Sequence, residues 1–103
     1  MVSKNTIKLI KSLSLKKNRI KENLFLVESD KNVSEVLASG FKIEKLIATN
    51  KFLEKYKPLI KNAKLVTEVT QQEINQASLL TNPQTSIAIC SLPKTKTLSE
   101  PIE

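Results

Sequence analysis

A chain of 103 residues that is 40% apolar has enough material for one core and no room for a second domain of ordinary size. Seventeen Lys and Arg stand against ten Asp and Glu, a net charge of +7, alongside one Gly, one Cys and no His or Trp. No Ser-His-Asp triad or imidazole metal site can come from this chain alone, Gly40 cannot by itself make a glycine-rich phosphate loop, and Cys90 has no partner for an internal disulfide.

Ser3 to about Leu13 predicts an amphipathic helix, with Ile7, Ile10 and Leu13 on one side and Lys4, Lys8 and Lys11 along another. Residues 14–23 (SLKKNRIKEN) break that period and read as a loop or a short helical turn. Leu24 to Glu28 (LFLVE) is an apolar run of strand type. Ser29 or Asp30 then offers an N-cap, Val33, Val36 and Leu37 form the buried stripe of a helix, and Gly40 stands where a left-handed residue ends it. Phe41 to Ala48 approximates strand alternation and runs into a second cap signal, Thr49-Asn50. Lys51 to Tyr56 carries Phe52 and Tyr56 at i, i+4, a pair expected in the core, and Pro58 is expected to end that turn.

Lys64 to Val69 predicts another short strand, and Thr70 with Glu73 has the spacing of a capping box. Ile74, Ala77 and Leu80 follow at near-helical spacing, then a loop over residues 81–84. Ser86 to Leu92 is apolar on both faces, as a central strand is. Strands alternating with helices predict an α/β fold, a three-layer sandwich with a four-stranded mixed or parallel sheet and right-handed crossovers between parallel strands. From Pro93 the chain is polar and proline-bearing (PKTKTLSEPIE), so residues 1–92 are expected to be the domain and 93–103 a linker towards a partner domain.

Residues 1–64 hold fifteen basic and six acidic groups, a balance of +9, while 65–103 hold two and four, a balance of −2. This asymmetry predicts a face for a polyanion. Lys16, Lys17, Arg19 and Lys21 are the first candidates for phosphate contact, Arg19 above all because its planar fork can hold phosphate bidentately. Lys31, in a helix's first turn, opposes the dipole, and a bound phosphate would relieve it. Asn82 and Gln84 can reach base edges or ribose hydroxyls, although turn chemistry explains them equally well. Glu28 is expected to be structural, accepting from the free N–H groups of the following helix or pairing with a cation. Cys90 is expected to be a buried small hydrophobe. With four aromatics in all, nucleic-acid binding would work through phosphates, sugars and shape more than through stacking. The longest unbroken apolar runs, Leu24 to Val27 and Ile87 to Cys90, fall far short of the roughly 20 residues of a membrane span, so no membrane partner and a cytoplasmic location are expected.

The order KKNRIKENLFLVESDKNVSEVL, FKIEKLIAT, LLTNPQTSIAI resembles the N-terminal substrate-binding domain of SpoU-type (TrmH-like) RNA 2′-O-ribose methyltransferases. Arg19, Glu28, Pro83 and Gln84 match that family's pattern, whereas Ser29 and Thr85 stand where it has glycines. The resemblance covers roughly residues 4 to 92. It implies the fold of a group of small ribosomal RNA-binding proteins and a role in recognising ribosomal or transfer RNA. It implies no cofactor in this domain and no activity from this fragment alone. S-adenosylmethionine and methyl transfer would belong to a missing C-terminal methyltransferase domain, to which dimerisation of the full-length protein is also attributed. A stand-alone small RNA-binding protein and a protein-interaction module with a basic face are the alternatives.

Overall fold

Ser3 opens α1 (Lys4–Ser12): its Oγ accepts from the Thr6 amide at 3.1 Å, and the helix buries Thr6 and Ile10 with Leu13 just beyond its end. These positions belong to a computed structural model that describes residues 2–92. The linker expected over 93–103 lies outside them.

The polar stretch after α1 is mostly helical. α2 (Lys16–Glu22) buries no residue and ends on Asn23 in the left-handed region, φ 62°. β1 (Leu24–Glu28) follows, and Ser29 caps α3 (Asp30–Ser39), which Gly40 closes at φ 92°. β2 (Ile43–Ala48) runs to Thr49, whose hydroxyl caps α4 (Asn50–Lys55). Pro58 does not end that helix. It sits in the first turn of the next, α5 (Lys57–Ile60), where a missing N–H leaves no intrahelical bond unmade. β3 (Val66–Glu68) is three residues long. The capping box forms as the spacing predicts: Thr70 Oγ1 accepts from the Glu73 amide, and Glu73 Oε1 accepts from the Thr70 amide. α6 (Gln71–Ala77) stops at an extended Ser78, so Leu80 is not part of its stripe and is exposed. β4 (Ser86–Ser91) is the last element described.

The four strands form one mixed sheet in the order β1-β4-β2-β3. β4 is antiparallel to both its neighbours, and β2 and β3 are parallel. Alternation along β4 sends Ile87 and Ile89 to one face with Ile10, Leu13 and Ile74, which places α1 and α6 there. Ala88 and Cys90 point to the other face with Val33, Leu37 and Phe52, under α3 and α4. Three layers result, with β4 central as its two-sided apolarity predicts.

Candidate nucleic-acid interface

α1 and α2 meet through polar side chains rather than through an apolar seam. Asn18 Nδ2 donates to the Ser12 carbonyl at 2.9 Å, and Arg19 Nη1 donates to the carbonyls of Leu13 and Ser14 at 2.8 and 3.2 Å. Arg19 is therefore half-buried and placed on the negative end of α1, where a cation is favoured. Lys11 has a related task, its Nζ donating to the Ser78 carbonyl at 2.9 Å just past α6. Lys4 and Lys8 on α1 and Lys16, Lys17 and Lys21 on α2 are exposed. Among the described residues the one ion pair is Lys64 with Glu44, at 3.6 Å, so none of these five lysines is in an ion pair.

Glu28 makes long-range hydrogen bonds, with partners other than those expected. Its oxygens accept from the Ser78 hydroxyl at 2.6 Å and the Leu79 amide at 2.8 Å, not from the start of α3. The start of α3 is tied down by its own Asp30. Asp30 Oδ1 accepts from the Thr85 amide and the Ser86 hydroxyl at 3.0 and 2.8 Å, and Oδ2 from the Thr85 hydroxyl at 2.7 Å. Gln84 completes this clasp: its Oε1 accepts from the Asp30 amide at 2.7 Å, and its carbonyl from Gln71 Nε2 at 2.6 Å. The exposed Lys31 follows Asp30 directly, so Lys31 and Gln84 share one end of the sheet; Asn82 is exposed on the adjoining loop. The two positions where the family pattern has glycine differ in backbone. Ser29 takes a positive φ of 79°, while Thr85 does not and contributes two of Asp30's three hydrogen bonds instead.

Sequence reasoning passes over Leu79 and assigns Leu80 to a helical stripe. Both are exposed, and with Arg19, Phe25, Leu26 and Glu28 they line a cleft of about 520 Å³ beside β1. The one trace of it in the sequence is a pair of leucines inside an otherwise polar segment, which looks like the tail of a helical stripe. Elsewhere the side chains behave as expected. Phe52 and Tyr56 pack ring to ring at 4.7 Å, and burial pushes the Cys90 thiol up to about 11. Among the described residues no three His, Cys, Asp or Glu are grouped so as to hold a metal ion, and no helix is long and apolar enough to cross a membrane.

Comparison with known proteins gives a consistent set of likenesses. A family model for the MRM3-like substrate binding domain matches residues 4–88. A protein assigned to the TrmH family, from Porphyromonas gingivalis, is 31% identical with a TM-score of 0.77, over 91% of this chain and 37% of that one. An rRNA methyltransferase from Sinorhizobium meliloti is 26% identical with a TM-score of 0.70, over 90% of this chain and 36% of that one. An RNA 2′-O ribose methyltransferase at 22% identity and a TM-score of 0.70, over 97% of this chain and 39% of that one, adds a likeness of fold alone. The chain thus spans well under half the length of the solved proteins it matches. No curated protein matches it.

Proposed function

The chain belongs to the MRM3-like substrate binding domain family of SpoU/TrmH-like RNA methyltransferases, and from that membership we propose that it holds RNA on the lysines of α1 and α2 and positions it for a separate methyltransferase domain. In this reading S-adenosylmethionine and the methyl transfer belong to that other domain, and the RNA is ribosomal or transfer RNA. The observation that carries it is the exposure of Lys4, Lys8, Lys16, Lys17 and Lys21 on consecutive helices with no carboxylate paired to them among the described residues. Exposed cations with no ion pair favour a partner that brings compensating charge, and a phosphate backbone does so while releasing its counterions. Arg19 and Lys11 set the geometry of this face by holding α1 to α2 and to the end of α6. Lys31, Asn82 and Gln84 are proposed as a second, smaller contact at the α3 end of the sheet.

The experiment is a titration of labelled, structured RNA at several salt concentrations. With about four phosphates neutralised, log K falls against log salt with a slope of about −3 to −3.5. Changing Lys16, Lys17 and Lys21 to Ala makes that slope shallower by about 2 to 3, roughly one per lost contact. Arg19 is left in place because its removal would also disturb the α1–α2 junction. No binding at low salt, or a slope untouched by the triple substitution, would overturn the reading.

A further inference from the structure

The cleft beside β1 has features that the phosphate contacts do not use. Its apolar lining includes Phe25, Leu26, Leu79 and Leu80, its polar lining Arg19 and Glu28, and its volume of about 520 Å³ falls within the roughly 300–1,000 Å³ of small-molecule sites. The lining is held in place by long-range contacts. Glu28 takes the Ser78 hydroxyl and the Leu79 amide, Lys11 takes the Ser78 carbonyl, and Ser78 Oγ in turn accepts from the Leu80 amide at 2.9 Å. Tying the segment down requires only Ser78 and the backbone of Leu79 and Leu80. The two leucine side chains stay 38% and 43% exposed and add nothing to the core.

We infer that this cleft receives an unpaired nucleobase of the RNA whose phosphates meet α2. The inference rests on the RNA reading above and makes it specific. Charge complementarity selects the occupant: Arg19 lines the cleft, and the exposed Lys16 lies one helical turn before it, so a base that enters brings its phosphate to a cationic rim. The leucines and Phe25 offer the base an apolar surface. Two carbonyl contacts fix the Arg19 guanidinium, a plane on which bases stack as they do on aromatic rings. The Glu28 carboxylate keeps lone pairs beyond its two hydrogen bonds and can accept from an exocyclic amine or ring N–H. A duplex keeps its bases stacked and paired, and can offer only phosphates to this surface.

The test compares a blunt RNA duplex with an RNA hairpin of the same phosphate count that has an open loop, using the chain as it stands. The hairpin is expected to bind about tenfold more tightly, the order of one seated base. Leu79→Ala with Leu80→Ala brings the two affinities together and leaves the salt slope unchanged. The α2 lysine substitutions flatten the slope for both RNAs and leave the preference in place. If the double variant loses its thermal transition, Leu80→Asn alone, at the more exposed position, carries the same expectation. Equal affinity for both RNAs, or a hairpin preference indifferent to the leucines, would leave the cleft to some protein contact and overturn the inference while the phosphate reading stands. Absence of any RNA binding at low salt would overturn both.

Discussion

Ser29 stands at φ 79° and ψ 131°, a backbone conformation that costs an L-residue about 1–3 kcal/mol, and its cap bond to the Asn32 amide is long at 3.4 Å. Glycine relieves the strain at the expense of chain entropy and a few tenths of cap energy. Ser29→Gly is therefore expected to raise stability by about 0.5–1 kcal/mol, seen as a higher urea midpoint with an unchanged slope. Asp30→Ala should act in the opposite sense. It removes three hydrogen bonds to one carboxylate and strands the Ser86 hydroxyl, which is buried, so a loss of about 2–3 kcal/mol is expected in the same measurement. At this scale the sequence points to polar side chains that make specific contacts but not to what they touch. Arg19, Glu28 and Gln84 were all singled out from the chain, yet Glu28 and Gln84 meet partners about fifty positions away, and no local pattern encodes such pairs.

Elements with a strong local signal were legible almost to the residue. β1 is an unbroken apolar run, while the stripe and Gly40 of α3 and the capping box of α6 each combine a periodic apolar pattern with a terminal signal, two independent cues at one place. α2 has neither. Its one apolar residue, Ile20, is exposed, and the helix is held by Asn18 and Arg19 reaching back to α1, a tertiary cause that hydrophobic periodicity cannot register. Pro58 was misread for a simpler reason: proline stops one helix and starts another with the same chemistry. The capping box also makes α6 sensitive to acid. The Thr70 backbone N–H holds the Glu73 carboxyl below its ordinary value of 4.5, as the Ser91 hydroxyl does for Glu44 with help from Lys64. A carboxyl lowered in the folded state stabilises fully above its unfolded value and loses that contribution as pH falls through the folded one. Thermal midpoints should thus decline below about pH 4.5, and Glu73→Gln should flatten part of that decline. Identical pH profiles for both proteins would deny the box any such role.

For the whole molecule, both cores meet on one strand. β4 gives Ile87 and Ile89 to the α1–α6 side and only Ala88 and Cys90 to the α3–α4 side, so helices on the second face can lie close to the sheet. All four side chains are at most 2% exposed. Ala88→Leu should overpack that side by about 1–3 kcal/mol. Ile87→Ala should open a cavity on the other side at about 2–5 kcal/mol. Denaturant melts of each, followed by both tryptophan-free absorbance and far-ultraviolet dichroism, should show one transition, since a strand shared by two cores couples them.

That same placement of β4 governs when the protein can fold. The strand that separates β1 from β2 is the last of the four to be made, so during synthesis β1 and β2 have no sheet neighbour between them until residues 86–91 arrive. β2 and β3 can pair early through their short parallel ladder, while β1 waits exposed with its apolar run unpaired. Most strand pairing in the finished domain closes loops of some forty residues or more, which favours slow, late condensation over stepwise growth. A nascent chain halted before Ser86 would present its unpaired strands to chaperones and proteases, and release of the final six-residue strand would convert it, in one cooperative step, into the folded domain.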